Sequence, residues 1–166
     1  MNIAISQNKI CVIDDCDLEL ISRYKWHYYA RIGGTCGYAF ANIYSKETQK
    51  QQRIAMHRLI MQCPAGLFVD HIDGNGLNNT RANLRICSRA QNNANRRSAR
   101  SSMSMYLGVC LFKGRWRAQI RQNGKKTHIG LYDTEIEAAL AYNRMAQICH
   151  GEFARLNIIT TQEQLQ

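Results

Sequence analysis

Apolar residues in this chain come in short runs separated by polar breaks, and only one long amphipathic stretch occurs, near the C-terminus. Ile3-Ala-Ile and Lys9-Ile-Cys-Val-Ile13 read as strands. Asp14-Asp-Cys-Asp17 punctuates them as a solvated acidic turn, and Leu18 to Tyr24 reads as a short helix carrying Leu18, Leu20, Ile21 and Tyr24. Trp26 to Ile32 and Tyr38 to Ile43 flank Gly33-Gly34, the grammar of a hairpin, with Gly37 weakening the register of the second strand. Ile54 to Met61 reads as a short apolar helix, with Arg53 and Arg58 facing outward. Leu67 to Ile72 is a strand, Asp73-Gly-Asn-Gly76 a turn, and Leu84 to Cys87 a second strand. Ser88-Arg-Ala-Gln91 is a capping-box pattern that starts a helix. That helix has only Ala90 and Ala94 as apolar residues and carries Asn92, Asn93 and Asn95, so packing does not account for it.

Beyond a basic, Ser-rich stretch from Arg96 to Met105 the pattern becomes regular. Strands are expected at Gly108 to Phe112, Arg115 to Arg121 and Lys125 to Tyr132, with Asn123-Gly124 as a type I′ turn. Period two puts Arg115, Arg117, Gln119 and Arg121 on one face and Trp116, Ala118 and Ile120 on the other. Lys126 and His128 extend the polar face, while Ile129 and Leu131 are assigned to the core. Thr134-Glu-Ile-Glu137 opens a helix that runs to about Cys149 and stops at Gly151. Its Ile136, Ala139, Leu140, Tyr142, Met145 and Ala146 would cover the apolar side of the sheet.

Charge sharpens this picture. The net charge is +10, and from Gly74 to Tyr132 there is no Asp or Glu while 12 of the 22 Lys and Arg residues lie there. Such a stretch suits a polyanion, because phosphate neutralisation releases counterions. The seven cysteines form no Cys-x-x-Cys pair, which argues against a four-cysteine zinc site and for small buried apolar residues in a reducing compartment. No signal sequence opens the chain and no apolar run is long enough for a membrane span, so a cytoplasmic location in a bacterial or phage-infected cell is expected.

The candidate chemistry lies at Asp70-His71. Phosphodiester hydrolysis needs an activated water, a base, and a charge on the leaving oxygen. An imidazole suits the base and a carboxylate suits a hard cation. His57 has apolar neighbours and reads as scaffold; His27, His128 and His150 are isolated and carry no catalytic assignment. Asp70-His-Ile-Asp-Gly-Asn-Gly, Asn83-Leu-Arg and the Asn-rich helix together resemble the HNH nuclease family. The resemblance implies a two-stranded hairpin plus a helix around one divalent metal. It makes His71 the general base, Asn83 the residue bracing the hairpin, and Asp70 and Asn92 the metal ligands. The family commonly has His where this chain has Asn92, although phage-type members and homing endonucleases also carry Asn; a hard ion, Mg2+ or Mn2+, is then favoured. Asn93 and Asn95 remain rival ligands. Neighbouring side chains on a regular strand point to opposite faces, so Asp70 and His71 share a site only if the strand end twists or the metal sits between them.

Tyr106-Leu-Gly-Val, Arg115-Trp-Arg-Ala-Gln-Ile-Arg121, Ile129-Gly-Leu-Tyr-Asp-Thr-Glu, Ala138-Ala-Leu-Ala-Tyr-Asn and Phe153-Ala-Arg-Leu-Asn157 resemble the APETALA2-type DNA-binding domain. Cys110 replaces an Arg usual in the plant members, and His128 lies near the place of a missing strand-three Trp.

The expectation is an α+β chain with a β-rich N-terminal layer and a ββα-metal module over residues 1–97 (core motif 54–97), a linker over 98–105, and a three-stranded antiparallel sheet on one helix over 106–157. Its function would be metal-dependent nicking or cleavage of double-stranded DNA, as in a homing endonuclease. It would act as a monomer without a small-molecule cofactor or membrane partner. Arg96, Arg97, Arg115, Arg117, Gln119, Arg121, Lys126 and His128 would contact DNA. The other reading is a DNA-binding regulator with a degenerate nuclease site; RNA binding is a weaker third, since common stacking signatures are missing.

Overall fold

The computed structural model describes residues 1–30, 37–46, 49–95, 103–122 and 124–159. Internal packing divides the chain into two units, Met1–Arg89 and Ala90–Gln166. Both combine small antiparallel sheets with few helices, an α+β construction.

In the first unit, β1 (Asn2–Ile5) and β2 (Lys9–Val12) form a hairpin turned by Gln7 and Asn8 at positive φ. After α1 (Leu18–Ser22), strands β3 (His27–Ala30), β4 (Gly37–Ser45) and β5 (Lys50–Ala55) make an antiparallel meander. The expected Gly33-Gly34 turn lies outside the described residues, but the strands on either side pair as read, from His27 opposite Phe40 to Ala30 opposite Gly37. Gly37 does not loosen this register. Its Cα lies under the Tyr28 ring, where any Cβ would collide, so glycine is what permits the pairing.

Helix α2 (Met56–Ile60) is shorter than expected. Ile54 and Ala55 instead complete β5 opposite Ala41 and Phe40, where a β-branched residue packs well. Nor do the two arginines merely face outward. The Arg53 guanidinium lies 4.9 Å from the Tyr29 ring centre, and Arg58 donates to the carbonyls of Cys63, Pro64 and Leu67, closing the loop before the next strand. Strands β6 (Phe68–His71) and β7 (Leu84–Cys87) pair next; α3 (Arg89–Ala94) begins directly after Ser88, and all of it beyond Arg89 falls in the second unit. The core gathers Ile5, Cys11, Ile13, Ile21, Trp26, Ala39, Ala41, Met56, Ile60, Val69 and Leu84. Cys11 and Cys87 are buried as expected, but Cys16 is exposed.

The second unit holds β8 (Val109–Phe112), β9 (Arg115–Gln122) and β10 (Lys125–Tyr132), with β9 central, packed against α4 (Glu135–His150). The Thr134–Glu137 capping box forms in both directions, at 3.2 Å each. Ala138, Ala139, Ala141, Tyr142 and Ala146 are buried against Val109, Ala118 and Ile120. Small residues let the helix approach the sheet closely; Gly108, at φ +75°, sits under the Tyr142 ring. Asn157 ties the end of the unit to its start, exchanging hydrogen bonds with the Leu107 backbone and with Asn143. Part of the expected linker, 98–102, lies outside the described residues. Ser104 does not behave as linker: it is buried and its hydroxyl donates to Glu135.

One core assignment fails. A bulge between His128 and Gly130 adds a residue to β10, so Ile129 packs inward while Leu131 comes opposite Arg117 on the outer face, 37% exposed.

Candidate functional site

The β6–β7 hairpin presents Asp70 opposite Arg85 and His71 opposite Leu84. Cross-strand partners share a face and neighbours in sequence do not, so the opposite-face tension in the sequence is real. Asp70 and His71 are both buried, at 6% and 5% exposure. Arg85 donates to Asp70 Oδ2 from Nε at 3.0 Å and from Nη2 at 2.8 Å. His71 lies among other partners: its Nε2 is 3.2 Å from Asn79 Oδ1, and its ring centre is 5.0 Å from that of His57 and 5.7 Å from that of Tyr38. His57 is therefore in edge contact with the candidate base rather than remote scaffold.

The loop between the strands is folded by its own amides. Gly74 N donates to His71 O at 2.8 Å and Gly74 takes φ +72°, which closes the turn. Asp73 Oδ1 accepts from Asn75 N and Oδ2 from Asn78 Nδ2. Asn83 receives Asp73 N on its Oδ1 and gives its Nδ2 to Asp73 Oδ1 and Asn78 O, while its carbonyl accepts from Ile72 N. Short Asn and Asp side chains form such local bonds readily, which is why the sequence is crowded with them here.

The acidic turn near the start is not merely solvated. Asp17 is 2% exposed and grips Arg81 through both oxygens, at 3.0 Å and 2.6 Å, while Asp14 Oδ2 accepts Arg81 N at 2.7 Å. Val12 N and O bond to Leu77 O and Asn79 N. The N-terminal hairpin thus clamps the loop that carries Asn79.

Burial pushes the His71 imidazole below its ordinary value, against the Asn79 hydrogen bond and the nearby Asp73 and Asp70 carboxylates. His57 is driven down to about 3, first by burial and then by His71 and Arg58. At Asp73 burial acts upward, but hydrogen bonds from Asn75, Asn78 and Asn83 together with His71 outweigh it and hold the carboxyl below its usual range. An imidazole held in its neutral form can accept a proton from water.

Asn92 lies on α3 and is half-buried, Asn93 is exposed and Asn95 is buried. Among the described residues no three His, Cys, Asp or Glu side chains come together to hold a metal. Asp70 belongs to the first unit and Asn92 to the second; the donor types the sequence names are a carboxylate and an amide oxygen. That set fits a hard ion such as Mg2+ completed by water and phosphate, and does not fit zinc.

On the sheet of the second unit, Arg117, Gln119 and Arg121 lie opposite Leu131, His128 and Lys126. Phe112, Arg117, Gln119, Lys126, His128 and Leu131 line a depression of ≈ 320 Å³. The Arg117 guanidinium stacks 4.6 Å from the Phe112 ring centre, and Arg115 is paired with Asp133 at 2.9 Å. Arg96 and Arg97 lie outside the described residues. Arg85, Asn79 and Tyr38 carry no assignment in the sequence, and His57 reads there as scaffold. Pairing the two hairpin strands on paper would have found Arg85; nothing local marks the other three.

A family model described as HNH endonuclease matches residues 55–94. An uncharacterized HNH endonuclease of Acanthamoeba polyphaga mimivirus is 35% identical over 147 residues, covering 84% of this chain and 70% of the relative. Protein 3.8 of Escherichia phage T7 is 34% identical over 94 residues, covering 55% of this chain and 77% of that protein. An AP2-like ethylene-responsive transcription factor of Arabidopsis thaliana is 39% identical over 66 residues, which is 39% of this chain but 14% of the plant protein. No solved structure matches. No helix among the described residues is long and apolar enough to cross a membrane. With a buried Asp-His pair inside the matched segment and a long viral relative, the chain belongs to the HNH endonuclease family and is a DNA endonuclease.

Proposed function

We propose that this enzyme is a metal-dependent endonuclease of the homing type that nicks duplex DNA as a monomer. The observation that carries the reading is His71: a buried imidazole, held below its ordinary pKa, next to Asp70 in sequence inside the family-matched segment. His71 takes the proton of the attacking water, so that an O–H bond breaks as an N–H bond forms. Asn83 braces the turn that sets the end of β6. Asp70, with Arg85 fixing its carboxylate, and Asn92, by its place in the motif, would hold Mg2+ or Mn2+. When bound, such an ion supplies positive charge to the leaving oxygen.

The second unit reads as the DNA-holding part, similar to an APETALA2-type domain. Arg121 and Lys126 stand directly opposite each other across β9 and β10, an arrangement that costs stability in an isolated sheet and gains its use against phosphate. Arg117, Gln119 and His128 continue the same face. Arg115 would contribute less, being paired with Asp133, and Arg96 and Arg97 are proposed as phosphate contacts from the sequence alone.

The test is purified protein with supercoiled plasmid bearing a target site, with and without Mg2+. Metal-dependent nicked product is expected from the wild type, and binding without product from Asp70→Ala and His71→Ala. Cleavage by either variant at the wild-type rate would refute the assignment.

A further inference from the structure

Asn79 has no role in the chemistry set out above, yet it is the most completely buried polar residue beside it, at 0% exposure. Among the described residues its side chain makes one hydrogen bond, with Oδ1 as acceptor 3.2 Å from His71 Nε2, while its Nδ2 is buried with no partner. An unsatisfied buried donor costs the full desolvation of that group. A side chain that only filled space here would be more stable as an aliphatic one, so the single bond it makes is the reason for the amide.

The backbone around it is fixed to match. Asn79 N donates to Val12 O at 2.7 Å, and Leu77 O accepts from Val12 N at 2.9 Å. Two residues on, Arg81 is held by Asp14 and Asp17. The amide is thus carried on a loop anchored to the N-terminal hairpin, while the rings of Tyr38 and His57 also contact the imidazole.

We propose that Asn79 is a positioning residue that selects the tautomer of His71, holding the proton on Nε2 and the lone pair on Nδ1. An amide oxygen can only accept, so the nitrogen facing it must carry the hydrogen. Water then gives its proton to Nδ1. The proposal rests on His71 being the general base, and it assigns the N-terminal hairpin a task in catalysis: it sets the nitrogen that acts. A reversed amide would put Nδ2 against Nε2, move the ring proton to Nδ1 and leave the opposite nitrogen basic, so the two arrangements have opposite signatures.

Nitrogen NMR of the full chain labelled at histidine, taken where His71 is neutral, separates them. The expected wild-type spectrum has Nε2 protonated and Nδ1 bearing the lone pair. Asn79→Asp, which offers only acceptor oxygens, should keep that tautomer and most of kcat. Asn79→Leu, similar in size and unable to accept, should lose the single tautomer and lower kcat about 10–100-fold with KM for DNA unchanged. A wild-type spectrum with the proton on Nδ1 overturns the proposal without any variant having to fold. So does a folded Asn79→Leu protein with wild-type tautomer and kcat. Cleavage by His71→Ala at the wild-type rate would refute the general-base reading instead, and would leave the tautomer result standing.

Discussion

His57 gives the sharpest quantitative expectation, because its pKa is driven from 6.5 to about 3 and the chief cause is burial. A histidine whose folded pKa lies below its unfolded value is neutral in the folded protein while the unfolded chain takes up a proton. Its stability contribution is therefore complete above pH 6.5 and is lost as pH falls from there toward about 3. Each pH unit in that window costs about 1.4 kcal/mol, so between pH 7 and pH 5 this one side chain should remove about 2 kcal/mol. The figure depends on the unfolded reference and only on the folded pKa being below 5. Replacing His57 by Phe keeps an aromatic edge for Tyr38, which lies 5.6 Å from it, and deletes the titration. The assay is urea unfolding of both proteins at pH 7 and pH 5 without metal, comparing the loss of stability within each. Wild type should lose about 2 kcal/mol more than His57→Phe over that interval, whatever the absolute stability of the variant. His71, shifted in the same direction, is present in both proteins, and Phe at position 57 keeps it buried. Equal losses would show that the His57 ring titrates in the folded state near its ordinary value, and the burial argument would fail.

Other expectations follow from the second unit and from the layout. Arg117→Ala combined with Arg121→Ala should weaken duplex binding by about 1–3 kcal/mol or more and flatten the slope of log affinity against log salt by about 0.9 for each phosphate no longer neutralised; an unchanged titration would mean that another face holds DNA. Gly108→Ala should cost about 1–3 kcal/mol, since φ is +75° and the new Cβ would meet the Tyr142 ring and the Gln119 carbonyl; thermal melting at wild-type temperature would contradict it. Early products from a supercoiled target plasmid should be open circles, because one chain carries one Asp-His pair. Linear DNA appearing first while sedimentation shows only monomer would rule out single-strand nicking.

Where structure depends on neighbours in sequence, it is legible in the chain itself. β7 has the expected ends because Leu84 to Cys87 is a short apolar run between turn residues, and α4 starts at its expected cap because Thr134 and Glu137 meet within one helical turn. The Asp70-His71 pair and the basic face of β9 can be read for the same reason: period two and a few adjacent residues suffice. Tertiary structure decided the rest. The bulge at Ile129 turns Leu131 outward although the alternation alone assigns it to the core, because the pairing with β9 and the packing on α4 together set the register. Ile54 and Ala55 join a strand because β4 offers a ladder, which an apolar run cannot announce. Asp17 reads as a solvated acid until Arg81, 64 positions away, buries it. His71 meets Asn79, His57 and Tyr38 only once hairpin, helix and meander converge. Local propensity and charge specified what chemistry this chain contains; long-range burial, which no local pattern encodes, determined which partners each side chain meets and which face it presents.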